Sequence, residues 1–570
     1  LISARAWALA GAVLLGATAL GYSHLPKVWV AREERLARPQ GLEFTGALPT
    51  YADDCFTYWA WTRQARDGRF LFEDLYTTEE HPRNYVNVLF WALGTAARWF
   101  GSSEGRTYTV ARAGFSFLLL VLLWHLAGRL FEAPFLRLTA FGLFVVQGGW
   151  AGVADVFERH WSTPHVHSPE WWTPEMNTIF SMMLFPHFLA GFCCMVGIAL
   201  LALSAYRAAS RRARIARAVA AGVVMTVLTY FHPYDVIPLA AALWVAPLLI
   251  GVVERRRPQR EIETAAWSTG VWLPSLIHNA WLFTENPAMR AWDLQNQMIT
   301  PAPSRLIIGL GIGAPLAVLA LFALRRMSVP MLFMVAWFAS HLALIHLPLN
   351  FQRRMIGGVQ FPMGALAAFA LAVFVAPPVV HRLARWPRLV GWRRGLGAAP
   401  VGAAVLAIGC VALPFELAGP QRIVDLEWGA LRAEKYPAWV RKSEREAYEA
   451  LERIRDGRPV VFCSYAMGGL VPPWTGHRTY IGHYALTIDA KRKEEETVRF
   501  FSGDSADDPW RVALLARMGA THLLFTAHER GLGAFDPATR PWLREIFRAG
   551  GDGPGRAVVY AVELSESPTP

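Results

Sequence analysis

Eleven stretches of this chain are apolar for about 18 residues or more, the length at which a helix crosses a ~30 Å hydrocarbon layer. They run over 4–22, 108–131, 135–154, 179–206, 217–231, 235–253, 264–282, 304–324, 329–348, 356–380 and 397–417, with no internal repeat. Between the first two lies a long outer loop, 23–106, with a pattern of its own. Residues 54–67 predict a helix closed by Asp67-Gly68, Gly68 being suited to the position just past a helix end. Residues 84–100 set Tyr85, Val88, Leu89, Trp91, Ala92, Trp99 and Phe100 in an amphipathic pattern that suits a helix lying in the membrane interface. From about residue 418 the pattern changes. Residues 441–457, 490–502, 508–519 and 540–549 predict helices, and 460–465, 478–482, 521–526 and 557–563 predict strands. Strands alternating with helices imply a small α/β domain with a largely parallel sheet. The fold class is a polytopic α-helical membrane protein of about eleven transmembrane helices, residues 1–420, followed by a C-terminal extracytoplasmic α/β domain, residues 421–570.

Charge sets the orientation. The 570 residues are 54% hydrophobic and carry a formal net charge of +12, yet the arginines are not spread evenly. They cluster at Arg207–Arg217, Arg255–Arg260, Arg325-Arg326 and Arg382–Arg394, in every second loop. That is the positive-inside pattern of cytoplasmic loops. It places the N-terminus inside and the C-terminal domain outside. The basic balance favours anionic lipid headgroups, and without a base-reading motif it does not point to nucleic acid. Segment 4–22 follows Arg5 and precedes no clear small-x-small cleavage site, so it reads as an anchor and not a cleaved signal peptide. Cys193, Cys194 and Cys410 fall in spans as small apolar fillers. Cys55 and Cys463 fall outside, where a disulfide is permitted.

The candidate chemistry gathers at the outer ends of the spans. Asp53-Asp54 opens the first loop helix, on the side away from the basic loops. A general base must reach an acceptor hydroxyl, and a second carboxylate raises its pKa or shares a cation. Thr50-x-x-Asp53 also fits a capping box, which accounts for Asp53 without chemistry and moves weight onto Asp54. Arg83, in His81-Pro82-Arg83-Asn84, is of the type that grips phosphate with two hydrogen bonds; Pro82 and Asn84 read as a turn and a helix cap. His165-x-His167 in the loop 155–178 reads either as part of a divalent-metal site or as a polar loop folded over the spans. His232 and Asp235, in His-Pro-Tyr-Asp at a turn between spans, are ionisable groups at membrane depth; Asp235 also fits an N-cap. Gln352-Arg353-Arg354 puts two arginines on the outer side, against the charge rule. A lipid-linked phosphate fits them, as does snorkelling to headgroups. Gly468-Gly469 matches no nucleotide loop; Gly476-His477 and Gly482-His483 read as turns, with a second reading of His483 as facing the membrane cavity.

The order Asp53-Asp54, Tyr58, Gln64-Ala65, Gly68, Tyr76, His81-Pro82 and Asn87–Gly94 resembles the first outer loop of the GT-C superfamily of polytopic glycosyltransferases. That superfamily includes protein O-mannosyltransferases, aminoarabinose transferases and oligosaccharyltransferase catalytic subunits. The chain departs from it in having Asp where the second acid is usually Glu, and Pro82-Arg83 where Pro-Pro is usual. The resemblance implies a sugar donor carried on a polyprenyl phosphate and an inverting transfer to an acceptor at the outer face of the cell membrane. It implies Asp53 or Asp54 as base or as ligand of a divalent metal (Mg or Mn); His165 and His167 are the further candidate ligands read from the loop itself. It places Tyr58, His81, Arg83, His232, Asp235, Arg353 and Arg354 in the substrate- and phosphate-binding set. The partners it implies are the lipid-linked sugar, membrane lipids and an acceptor of open identity. Two rival readings are a transporter or flippase of a lipid-linked saccharide and a non-catalytic envelope assembly protein. Transporters often show inverted repeats, and this sequence shows none.

Overall fold

Proline and glycine decide how the apolar runs become helices. The predicted span 179–206 is two helices, Thr178–Leu184 and Pro186–Tyr206, because Pro186 cannot donate to the hydrogen-bond ladder and instead opens a new helix. The predicted span 304–324 is bent by 94° between Pro303–Leu310 and Gly313–Arg326. At that bend Gly311 has φ +63°, and a side chain there would run into the backbone oxygen of Gly148. The computed structural model describes residues 3–37, 41–47, 51–150, 169, 172–383, 429, 436–455, 457–503 and 507–564. Within them, ten of the eleven predicted spans hold helices; 397–417 lies outside the described residues. Five helices are long and apolar enough to cross a membrane: Ala4–Leu25, Glu104–Leu130, Pro186–Tyr206, Pro233–Glu254 and Gln352–Arg382. A sixth is added if the bent pair counts as one span.

The chain divides into two compact units. The first comprises 1–26, 109–278 and 298–426. In it the helix Pro233–Glu254 packs along Val329–Leu344, and Pro186–Tyr206 along Arg211–Thr229. Trp337, Phe141, Phe144 and Phe180 are among its fully buried side chains.

The second unit comprises 27–108, 279–297 and 427–570. Its sheet has five strands in the order β4-β3-β5-β7-β6: β3 Val460–Phe462, β4 Arg478–Thr479, β5 His522–Phe525, β6 Leu543–Ala549 and β7 Ala557–Val562. Helices Ala490–Phe501 and Asp508–Met518 form a shared core with it around Phe462, Phe500, Phe501, Leu515 and Leu523. Two expectations are corrected here. Residues 540–549, expected as a helix, contain strand β6, and the sheet is evenly mixed. β3 runs parallel to β4 and β5, whereas β7 runs antiparallel to β5 and β6. The reason lies in the turn between the last two strands. Gly550 and Gly551 have φ +83° and +61°, conformations that glycine adopts freely, and they fold the chain straight back into a hairpin.

The first outer loop is built into this unit. β1 Leu42–Phe44 pairs antiparallel with β2 Trp439–Arg441. The Thr479 N–H, on edge strand β4, donates to the Leu75 carbonyl at 2.9 Å. From the helix Ala52–Arg66, the buried Arg63 donates to the Trp474 carbonyl at 2.9 Å and to Glu452 at 2.7 Å. Gly68 closes that helix with φ +92°, as predicted. The helix Val88–Phe100 lies on it through Gly94, where a Cβ would collide with the Thr62 backbone and Ala65. Its buried face is Leu89, Phe90, Leu93 and Ala97; its end exposes Trp99 and Phe100. Its N-cap is Asn87, whose side chain accepts from Phe90 N–H, and not Asn84, whose side chain bonds Asn286.

Candidate active site

The start of the helix Ala52–Arg66 carries both acids of the pair in its first turn, where the exposed N–H groups favour negative charge. The helix is capped by Tyr51, without a side-chain hydrogen bond. The capping box expected of Asp53 is therefore corrected. The helix starts one residue later than that motif requires, and the Asp53 carboxylate accepts from the Tyr465 hydroxyl at 3.2 Å. Burial pushes the Asp53 carboxyl up, Asp54 adds to the rise, and His483 and the Tyr465 bond offset part of it. Burial and the Asp53 charge together push the Tyr465 phenol far up, so it keeps its proton and remains a donor.

His483 completes the group. Its Nδ1 accepts from the Ala485 and Leu486 N–H groups, both at 3.1 Å, which leaves the proton on Nε2. Nε2 lies 3.8 Å from Asp54 Oδ1. The ring is buried, stacked on Tyr484 at 4.9 Å and tilted against Tyr76 at 5.8 Å. The side-chain hydroxyl of Thr487 accepts from the Gly482 and His483 N–H groups and donates to the Tyr76 carbonyl, tying this turn to the first loop. The site thus has two carboxylates, a phenol donor and an imidazole with a fixed tautomer, supplied by segments more than 400 residues apart in sequence.

The extended segment after Gly68 sends neighbouring acids to different partners, as alternation along an extended chain dictates. Glu73 is held by Arg83 and Arg478. Asp74 accepts from Tyr76 N–H at 2.8 Å, and its own N–H donates to His81 Nε2 at 3.1 Å. Burial pushes the Asp74 carboxyl up to about 6; the Tyr76 N–H and the neighbouring His81, His483 and Lys493 oppose the rise. A raised carboxyl pKa means that the stability tied to Asp74 is fully present below its ordinary 3.8 and is lost as pH rises through about 6. Asp74→Asn keeps the bond to Tyr76 N–H and removes the titration. The difference in thermal midpoint, variant minus wild type, is expected to grow between pH 4 and pH 7 and to correspond to about 2 kcal/mol at the upper end. A constant difference across that range would show that Asp74 does not titrate there.

The other expected site residues are placed as follows. Tyr58 stacks on Phe90, centroids 5.0 Å apart and planes within 9°. His81 donates from Nδ1 to the Glu79 carbonyl at 2.8 Å. Arg83 is committed to Glu73 and not to the acidic pair. His232, Asp235, Arg353 and Arg354 belong to the first unit. There His232 Nδ1 and Asp235 Oδ2 are 2.9 Å apart and both buried. The N-cap of the helix Pro233–Glu254 is His232, so Asp235 lies in its first turn and is not the cap. Arg354 Nη1 donates to the buried Glu175 at 3.3 Å, and its guanidinium lies 5.7 Å from the Tyr234 ring centre. Arg353 lies over Trp172 at 4.4 Å and donates to Met298 Sδ at 2.7 Å. His165 and His167 lie outside the described residues.

Among the described residues no three His, Cys, Asp or Glu side chains converge on a metal-sized site. The donor set at Asp53-Asp54 points the same way: His483 presents an N–H, not a lone pair, towards Asp54. Of the ligands expected for Mg or Mn, Asp53 is the one within the described residues; His165 and His167 lie outside them. Cys55 and Cys463 are both buried and are not joined by a disulfide.

No protein-family model and no curated protein sequence matches the chain. Solved structures do. An Archaeoglobus fulgidus oligosaccharyltransferase tethered to an acceptor peptide aligns with TM-score 0.54 and 11% identity over 98% of this chain and 74% of its own. AglB from the same organism, in complex with an inhibitory peptide and a dolichol-phosphate, aligns with TM-score 0.53 and 10% identity over 99% and 75%. ArnT from Cupriavidus metallidurans bound to undecaprenyl phosphate aligns with TM-score 0.51 and 15% identity over 98% and 99%. At such identities the likeness is one of fold. The chain has the GT-C membrane fold, with an α/β unit that takes in its C-terminal region. It is an integral membrane protein.

Proposed function

We propose that this protein is an inverting glycosyltransferase that moves a sugar from a polyprenyl-phosphate donor to an acceptor hydroxyl, with the α/β unit on the outer side of the membrane. The observation that carries this reading is the Asp53–Tyr465 and Asp54–His483 pairing inside a GT-C fold. The lipid phosphates named with AglB and ArnT support the donor class. The alternating basic loops support the orientation.

In this reading Asp53 is the base. It takes the proton from the acceptor hydroxyl as that oxygen bonds to the anomeric carbon. The bond from that carbon to the lipid phosphate breaks, and the phosphate leaves with the electron pair. Entry opposite to departure inverts the configuration. Asp54, facing the His483 N–H, keeps a second negative charge beside the base and so raises its proton affinity. By the family resemblance we assign the lipid phosphate to Arg353 of the first unit, whose planar guanidinium suits paired hydrogen bonds to phosphate. Arg353→Ala is expected to lower kcat/KM for the lipid donor by roughly 10²–10³. Arg353→Lys restores only part, because an ammonium lacks the two-pronged fork. Activity of Arg353→Ala within twofold of wild type would remove this assignment.

The reading as a whole is tested with the purified full-length protein and a panel of polyprenyl-phosphate sugars. Wild type transfers sugar from at least one of them. No transfer from any donor, together with movement of lipid-linked saccharide across liposomes, would convert the protein into a transporter.

A further inference from the structure

The arginines of the α/β unit are not all accounted for by the site above. A cavity of about 250 Å³ is lined by residues of 67–83, 454–459 and 475–478. It shares no lining residue with the Asp53–Asp54–His483 group. Among the described residues that line it are five arginines, Arg69, Arg83, Arg455, Arg458 and Arg478, against two carboxylates, Asp67 and Glu73. Those carboxylates are already engaged. Glu73 holds Arg83 and Arg478, and Asp67 lies 3.5 Å from Arg63, outside the lining. His477 adds no charge: burial holds its pKa down, and its Nε2 donates to the Leu451 carbonyl at 2.7 Å.

Among the described lining residues three guanidiniums are therefore in excess. Arg69 reaches Glu73 only at 4.0 Å. Arg455 and Arg458 are exposed at the rim, on either side of Gly457, whose φ of +68° and lack of a side chain leave the mouth open. Like charges gathered at a partly dry concavity raise the local potential and repel one another, and an anion placed among them removes both costs. Burial and then Arg83 hold the Arg69 pKa below its ordinary value; Glu73 and Asp67 oppose this, and Arg458 adds to the lowering.

We propose that this cavity binds a phosphate ester. Guanidiniums meet phosphate oxygens with paired, charge-assisted hydrogen bonds, and several can share one phosphate. The size narrows the ligand further. The volume falls below the ~300–1,000 Å³ of sites for drug-sized ligands. It holds a phosphate and its attached group, not a run of sugars. This inference does not rest on the transferase reading.

The test uses the full-length protein in a neutral detergent, with phosphate binding followed by phosphorus NMR. The variant is Arg455→Gln with Arg458→Gln, which leaves the Glu73 pairs intact. The control is Arg544→Gln with Arg548→Gln, an equal charge loss on the exposed face of β6. Wild type is expected to bind inorganic phosphate saturably. The rim variant is expected to bind at least about tenfold more weakly, and the control as wild type, with all three unfolding at similar temperatures. Competition then identifies the source. Displacement by a soluble hexose phosphate assigns the site to a phosphorylated saccharide. Displacement by phosphatidylglycerol nanodiscs but not phosphatidylcholine ones assigns it to a lipid headgroup. Free phosphate binding more tightly than either shows that no attached group is recognised and overturns the assignment to an ester. Absence of saturable binding, equal weakening in the control, or equal displacement by chloride overturns the proposal.

Discussion

Asp53→Asn is expected to lower kcat by about 10²–10⁴ while leaving KM for the lipid donor within a few-fold of wild type. The substitution is nearly isosteric, and the amide oxygen can still accept from the Tyr465 hydroxyl that now bonds Asp53 Oδ2. What is lost is the ability to take a proton. Burial, the first cause of the raised Asp53 pKa, brings the carboxylate closer to working pH and makes it a stronger base than a solvated aspartate. The pH profile should show this. In wild type the rate falls on the acid side with an apparent pKa above the ordinary 3.8, and in Asp53→Asn that limb disappears. Asp54→Asn is expected to cost less, since in the proposed mechanism Asp54 acts on the base through its charge and through the His483 contact. If Asp53→Asn keeps a tenth or more of wild-type activity while Asp54→Asn is dead, the two roles are exchanged.

The sequence alone weighted these acids differently. Thr50-x-x-Asp53 satisfied a capping motif, and that gave Asp53 a structural job. In the fold the helix is capped at Tyr51 and Asp53 turns to a tyrosine 412 positions away. A local motif is readable because it depends on spacing; the Tyr465 contact depends on tertiary packing and has no signature. His483 shows the same limit. In sequence Gly482-His483 looks like a turn, and it is one, but the two N–H groups that fix its tautomer come from that very turn. Glu73-Asp74, a second acidic pair ahead of Tyr76, carries no motif that singles it out in the sequence. Reading it would have needed the partner Arg478, which only the docking of the first loop on edge strand β4 supplies. The apolar runs, by contrast, were legible because membrane insertion acts on each segment separately. Helix breaks at Pro186 and Gly311 were carried by residues whose backbone limits are intrinsic. Strand β6 was misread because its charged face, Arg544, Glu545 and Arg548, looks helical, while the glycine turn after it set the pairing.

Glu73→Ala is expected to destabilise the α/β unit by about 3–5 kcal/mol, the cost of breaking a buried ion pair from one side. Glu73 is 4% exposed and Arg478 is 7% exposed, with Nε to Oε1 at 2.7 Å; Arg83 adds a second guanidinium at Nε to Oε2 2.9 Å. Burial pushes the Glu73 carboxyl up, and the two arginines overcome that and hold it below its ordinary range. Its contribution to stability is therefore present above about pH 4.5 and is lost as pH falls through the depressed folded value, opposite in sign to that of its neighbour Asp74. Alanine leaves the backbone latch to Gln64 in place, since both of those bonds use the Glu73 main chain. The loss thus reports the charge and not the loop conformation. It strands Arg478 with Glu80, whose side chain is 83% exposed and so a poor substitute. Replacing both partners, Glu73→Ala with Arg478→Met, removes the unpaired cation and is expected to recover much of the loss. Thermal unfolding and protease resistance of the full-length protein measure both variants. A single variant within about 1 kcal/mol of wild type, against the 3–5 kcal/mol expected of a buried pair, would mean that Arg478 finds another anion as soon as Glu73 is gone.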